Sequence, residues 1–236
     1  MGTALVALFS LFKLGKLGGT LITMIVSIAI YASMYGWRYA AGFVGLLFVH
    51  EMGHFIAAKQ RGLPVGAPTF IPFVGAWIEL KDKPMDVETE AYVALAGPAL
   101  GTLGAVLVYF WARCTGSGLL LAVSYAGFFI NFFNLVPLSP LDGGRITAVL
   151  GPRIWFAGVP IMLALMLWRP SPMLILIAIL AVPALREAWH YDPHAPENQA
   201  YYSASAETKI QYGALYLALA AFLAVMTEAT HTMIAN

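Results

Sequence analysis

His50, Glu51 and His54 lie in FVHEMGHFIAAK, residues 48–59, three ionisable side chains in a run otherwise apolar up to Lys59. On a helix, positions four apart share a face, so the two imidazoles can occupy two corners of one tetrahedral Zn²⁺ site. Glu51 stands beside them and can reach a water rather than the metal. The H-E-x-x-H spacing belongs to hydrolytic zinc chemistry, in which the metal lowers the pKa of water to about 7 and the glutamate takes the proton. Two structural histidines and a buried glutamate satisfying one another are the alternative. That alternative is costly in a membrane, where uncompensated charge costs at least about 3 kcal/mol at mid-bilayer.

A catalytic zinc needs a third protein ligand and an open position. His190 and His194 flank Asp192 in a polar loop with a proline, and read as an ordinary solvated group; His231 is the remaining histidine. Asp142 is the better candidate. In NFFNLVPLSPLDGGRI it follows the breaks at Pro137 and Pro140 and precedes two glycines. It also reads as a helix N-cap ahead of GGRITAVL, and sequence physics alone supports ligand and cap equally.

The elements that must position these residues are membrane spans. Of 236 residues, 60% are hydrophobic and 11% charged, where a soluble domain carries about 25% charged residues. Apolar stretches of about 20 residues recur along the chain, the length that crosses a bilayer. We place spans at 19–35, 39–59, 91–111, 118–137, 153–168, 171–189 and 210–228. The expected fold class is an all-α polytopic membrane protein of six to seven transmembrane helices. A small β-hairpin or re-entrant β-element follows the H-E-x-x-H helix, because TFIPFVGAWIEL suggests two short strands broken at Pro72 and Gly75. Residues 3–17 read equally as a short amphipathic or interfacial helix or as a leader into the first span, with no cleavable signal peptide evident. The chain is treated as a single membrane-embedded domain, 1–236, with a core at 39–145.

With 13 basic and 12 acidic residues there is no basic face for nucleic acid, and the lone Cys114 allows no internal disulfide. Alternating the loops puts most basic residues, among them Lys13, Lys16, Lys59, Arg61, Lys81 and Lys83, on one side. The positive-inside rule makes that side cytosolic. Spans two and four both end there. His54 and His50, five and nine residues before Lys59, would lie roughly 8 and 14 Å below the interface at 1.5 Å per residue. The expected location is a multi-pass integral protein of the cell membrane with its site toward the cytosol.

Three elements together resemble the site-2 protease family of intramembrane zinc metalloproteases, of the peptidase M50 type. They are His50-Glu51-Met52-Gly53-His54, Gly97-Pro98-Ala99-Leu100-Gly101, and Asn134-Leu135-Val136-Pro137-Leu138-Ser139-Pro140-Leu141-Asp142-Gly143. The resemblance covers about residues 45–145. It implies that His50, His54 and Asp142 bind Zn²⁺ and that Glu51 is the general base. It further implies that Asn134 holds substrate near the metal. Asn131 could share that role or make an interhelical hydrogen bond. Substrates would be transmembrane proteins cut within or near the lipid bilayer. The 61–90 stretch and the 190–236 tail are too short for a PDZ or CBS domain, so the chain looks like a minimal member, which leaves substrate sensing to a regulatory membrane partner, to substrate shape or to prior trimming. The strand-like 69–80 stretch could receive an unwound substrate as an added strand. Two other functions use the same residues: a membrane metal-ion transporter, separable by zinc flux in liposomes, and an inactive homologue acting as a membrane binding scaffold, separable by chelator-sensitive cleavage.

Overall fold

A computed structural model of the chain describes residues 16–66, 68–72, 75–77 and 86–236. The interfacial helix expected over 3–17 falls almost wholly outside them. Helices α1 (Lys16–Tyr35) and α2 (Trp37–Gln60) form an antiparallel pair that turns at Gly36, where φ is 82°. A two-stranded antiparallel sheet follows, β1 (Thr69–Ile71) and β2 (Gly75–Trp77), with Phe70 opposite Ala76. Pro72 lies in the turn between the strands, as expected, whereas Gly75 begins β2 rather than breaking it. The outer edge of β1 is bound by α1: the Phe70 N–H donates to Thr23 Oγ1 at 3.1 Å, and Thr20 Oγ1 donates to Pro68 O at 2.6 Å.

Helices α3 (Val87–Thr115) and α4 (Gly118–Asn134) complete the part of the bundle that holds the chemistry. α3 runs past the expected 91–111 at both ends. Asp86 caps its N-terminus, accepting the Thr89 N–H at 2.7 Å, so Glu88 and Glu90 are helical. α4 stops at Asn134, short of the expected 137: Val136, before Pro137, is disfavoured in helical geometry, and the N–H groups of Leu135 and Val136 close tighter turns on Phe132 O and Phe133 O.

α2, α3 and α4 approach closely because small residues line their seams, the packing device of helices in lipid. A Cβ on Gly53 would overlap the backbone of Ala96 and Gly97, and one on Gly127 would press into Leu46 and Ala105. Beyond an unwound segment at 135–141 come α5 (Asp142–Thr147), two 3₁₀ turns, α6 (Gly158–Trp168), α7 (Pro172–Trp189), α8 (Pro196–Tyr202) and α9 (Ala206–Ala235). α8 follows the polar loop that holds His190 and His194 and is a helix outside the expected spans.

Among the described residues, five helices are long and apolar enough to cross a membrane; Gly118–Asn134 and Pro152–Trp168 are shorter apolar helices. Their outer faces expose Leu107, Leu167, Ile179 and Leu217, a surface suited to lipid and not to water. The protein is an all-α polytopic membrane protein with one small hairpin.

Candidate metal centre

α2 brings His50, Glu51 and His54 to the interior, where they are 4%, 6% and 8% exposed. Each imidazole is oriented by its far nitrogen. His50 Nδ1 lies 2.8 Å from Asn131 Oδ1, and Asn131 Nδ2 donates to Gly127 O at 2.7 Å. That second bond makes Oδ1 the acceptor, so His50 Nδ1 carries the proton. His54 Nδ1 lies 2.8 Å from Val93 O, which can only accept, so the same tautomer follows. Both Nε2 atoms are left with their lone pairs facing inward, the arrangement of metal-ligating histidines held by outer partners.

Asp142 completes the group. It is the first residue of α5, not its cap. The N-cap is Leu141, with no side-chain cap bond. Its Oδ2 lies 3.2 Å from His50 Nε2 and 3.3 Å from His54 Nε2, and the two Nε2 atoms are 3.1 Å apart. Among the described residues, this trio is the one group of His, Cys, Asp or Glu side chains gathered closely enough to hold a metal. Two neutral imidazole lone pairs and a carboxylate oxygen are three acceptors with no donor among them. A cation between them removes the conflict. Tetrahedral zinc with bonds of about 2.0–2.1 Å separates its ligand atoms by about 3.3 Å, so the triangle has the edges of one face of a zinc tetrahedron and leaves a fourth corner open.

The surroundings show why these glycines and prolines are here. A Cβ on Gly97 would overlap the His54 ring, and one on Gly101 would overlap the Asn131 amide. The Gly-x-x-x-Gly element of α3 therefore forms the wall against which a ligand and its orienting partner rest. Gly143 and Gly144 pack against the backbone of 135–139, where a Cβ would overlap Leu135 O and Ser139 N respectively. The unwound segment and the start of α5 are bonded from outside: Tyr216 donates to Leu135 O and Trp155 Nε1 to Gly144 O, both at 2.7 Å.

Asn131 thus touches a ligand ring, the interhelical bond that the sequence reading weighed beside a substrate role. Asn134 is half-buried at the end of α4, and its side chain makes no hydrogen bond among the described residues. His190, His194 and Asp192 are exposed and bond locally, His190 Nδ1 to Arg186 O at 2.9 Å and the His194 N–H to Asp192 Oδ1 at 2.9 Å. Missed in the sequence was Arg145, whose Nη1 stands 3.9 Å from Asp142 Oδ1 and whose Nε donates to Glu90 Oε1 at 3.1 Å. The i,i+3 spacing from Asp142 was its available signal.

Comparison with known proteins places this geometry. The zinc metalloprotease MJ0392 of Methanocaldococcus jannaschii is 34% identical over 110 residues, which cover 43% of this chain and 32% of that protein. "Probable zinc metalloprotease EGY1, chloroplastic" of Arabidopsis thaliana is 35% identical over 75 residues, 30% of this chain and 14% of that protein. The chain thus aligns with a third or less of the length of each. Residues 38–125 match Peptidase family M50; the stretch holds His50, Glu51, His54 and the glycine wall and ends before Asp142, which geometry alone adds. By that match and these relatives, the stretch that carries His50, Glu51 and His54 is similar to peptidase family M50.

Proposed function

We propose that this protein is an intramembrane zinc metalloprotease that hydrolyses peptide bonds of transmembrane or membrane-associated proteins, with Glu51 as general base. The observation that carries the reading is the convergence of His50 Nε2, His54 Nε2 and Asp142 Oδ2 within 3.3 Å of one another, beside a buried glutamate. Zn²⁺, when bound, supplies a Lewis acid that makes water acidic near neutral pH and polarises a carbonyl oxygen. Among the described residues no group hydrogen-bonds the Glu51 carboxylate, so it is available to a water. It accepts the proton as the water oxygen bonds the carbonyl carbon, and returns it to the amide nitrogen as the C–N bond breaks. With the Nδ1–H groups of His50 and His54 held by Asn131 Oδ1 and Val93 O, Nε2 is the nitrogen each ring offers to a metal.

A substrate helix hides its amides in its own hydrogen bonds, so it must be extended before it is cut. Because α1 occupies the outer edge of β1, an added substrate strand goes to the β2 side, near Ala76. Asn134, with no bond of its own, is placed to meet substrate. The basic residues put this side toward the cytosol.

The test compares Glu51→Gln and Asp142→Asn with the parent, in detergent and in liposomes, against tagged single-span membrane proteins from the native membrane. Glu51→Gln should keep its zinc and lose about 10²- to 10⁴-fold in cleavage rate. Asp142→Asn should lose the zinc itself. Full turnover by Glu51→Gln, or full zinc occupancy and turnover by Asp142→Asn, removes the assigned roles.

A further inference from the structure

Asp142 presents its two oxygens to different partners. Oδ2 faces both imidazoles, while Oδ1 faces Arg145 Nη1 at 3.9 Å. A long guanidinium would ordinarily swing toward water, but this one is fixed. Its Nε donates to Glu90 Oε1 at 3.1 Å, and the other oxygen of Glu90 accepts from the hydroxyl of Tyr201 in α8. The Tyr201 phenol is pushed far up by burial and by Glu90, so it remains a donor. Arg145 and Glu90 side chains are each 22% exposed, which leaves their charges less screened than at an open surface.

We propose that Arg145 is a positioning residue for the metal site: held by Glu90 and Tyr201, it keeps Asp142 Oδ1 turned away so that Oδ2 alone serves as ligand. An aspartate free to rotate can offer a metal one oxygen or two. A fixed cation on the Oδ1 side favours the one-oxygen form and preserves the open fourth position. The relay ties the metal ligand to α8, a segment outside the spans, through residues 55 and 111 positions apart. The proposal rests on the metal reading of the site.

The test uses the full chain in detergent, with Zn²⁺ affinity read by chelator competition and coordination read from the visible absorption of the Co²⁺-loaded protein. Arg145→Gln should weaken Zn²⁺ by about 10- to 100-fold, the usual effect of an outer-shell loss. It should also lower the Co²⁺ band intensity as a fifth ligand atom joins. Arg145→Lys keeps the charge and should recover most of the affinity. Tyr201→Phe should weaken Zn²⁺ by about 2- to 5-fold, and it carries the test if Arg145→Gln does not fold. An Arg145→Gln protein with parental affinity and spectrum overturns the proposal, as does Arg145→Lys no better than Arg145→Gln, or Tyr201→Phe without effect. If the parent binds Zn²⁺ and only Asp142→Asn weakens it, this proposal alone fails. A parent that binds no Zn²⁺ overturns the site reading and this proposal with it.

Discussion

Replacing Asn131 with Leu isolates the orientation of one ligand. Leucine has a similar volume, so the 1%-exposed position stays filled. The His50 Nδ1–H then loses its acceptor at 2.8 Å in a place water does not reach. A buried donor left unmet costs about 1–3 kcal/mol. If the ring turns to escape, Nε2 leaves the metal position, so the cost appears in metal affinity. Outer-shell losses of this kind weaken binding by about 10- to 100-fold, or about 1.4–2.8 kcal/mol at 1.4 per decade, which agrees with the hydrogen-bond figure. The effect has a ceiling, because His54 is held by the backbone carbonyl of Val93 and keeps its tautomer. Loss of the bond from Asn131 Nδ2 to Gly127 O lowers fold stability separately. Chelator competition should therefore show Zn²⁺ weakened within that range, beyond any change in unfolding of the metal-free protein. Parental Zn²⁺ affinity with a raised KM would refute the argument and assign Asn131 to substrate instead.

Two further substitutions probe the walls of the site. Gly97→Ala puts a methyl into the His54 ring, and overpacking of this kind costs about 1–3 kcal/mol; zinc per chain and thermal stability should both fall, while Ala99→Gly on the same helix leaves zinc content unchanged. Tyr216→Phe removes the donor to Leu135 O and should lower stability by about 1–3 kcal/mol and speed zinc release, measured by stopped-flow chelation; an unchanged release rate would show that α9 does not brace the Asp142 segment.

The ligand types and the spans were legible because each answers to local chemistry. Two histidines four apart need only a helix to meet, and a membrane crossing needs only a length of apolar sequence. Asp142 was legible as a candidate and undecided as to role, because an acidic residue ahead of two glycines suits a ligand and a cap alike. Helix rotation and tertiary packing decide between them, and no local pattern carries either. The same limit hid the choice of Asn131 over Asn134 for His50, which depends on which face of α4 meets α2. α3 is longer than the expected 91–111 because Asp86 caps it and carries the helix through Glu88 and Glu90, beyond the apolar stretch. α8 was missed for a related reason: Pro196 and Glu197 signal a helix start, but a seven-residue helix, PENQAYY, is too short to show a periodic apolar face.

The third candidate ligand, Asp142, follows an unwound segment for a geometric reason. Any other residue of α2 on the same face lies two turns, about 11 Å along the axis, from one of the two histidines, far outside a shared coordination sphere. A neighbouring helix packs with its axis about 8–10 Å away, and aspartate is too short to span much of that distance from an arbitrary position. Breaking the chain lets its backbone approach, at the cost of backbone groups that lipid cannot satisfy. Pro137 and Pro140 reduce that cost directly, because neither brings an N–H. The neighbouring donors close short turns instead, Leu135 to Phe132 O at 3.0 Å, Val136 to Phe133 O at 3.1 Å, Leu138 to Val136 O at 2.7 Å and Leu141 to Leu138 O at 2.9 Å. Gly143 and Gly144 then let those turns lie directly on the start of α5. The prolines and glycines around Asp142 are therefore the means by which a short carboxylate reaches two imidazoles in the interior of the bundle.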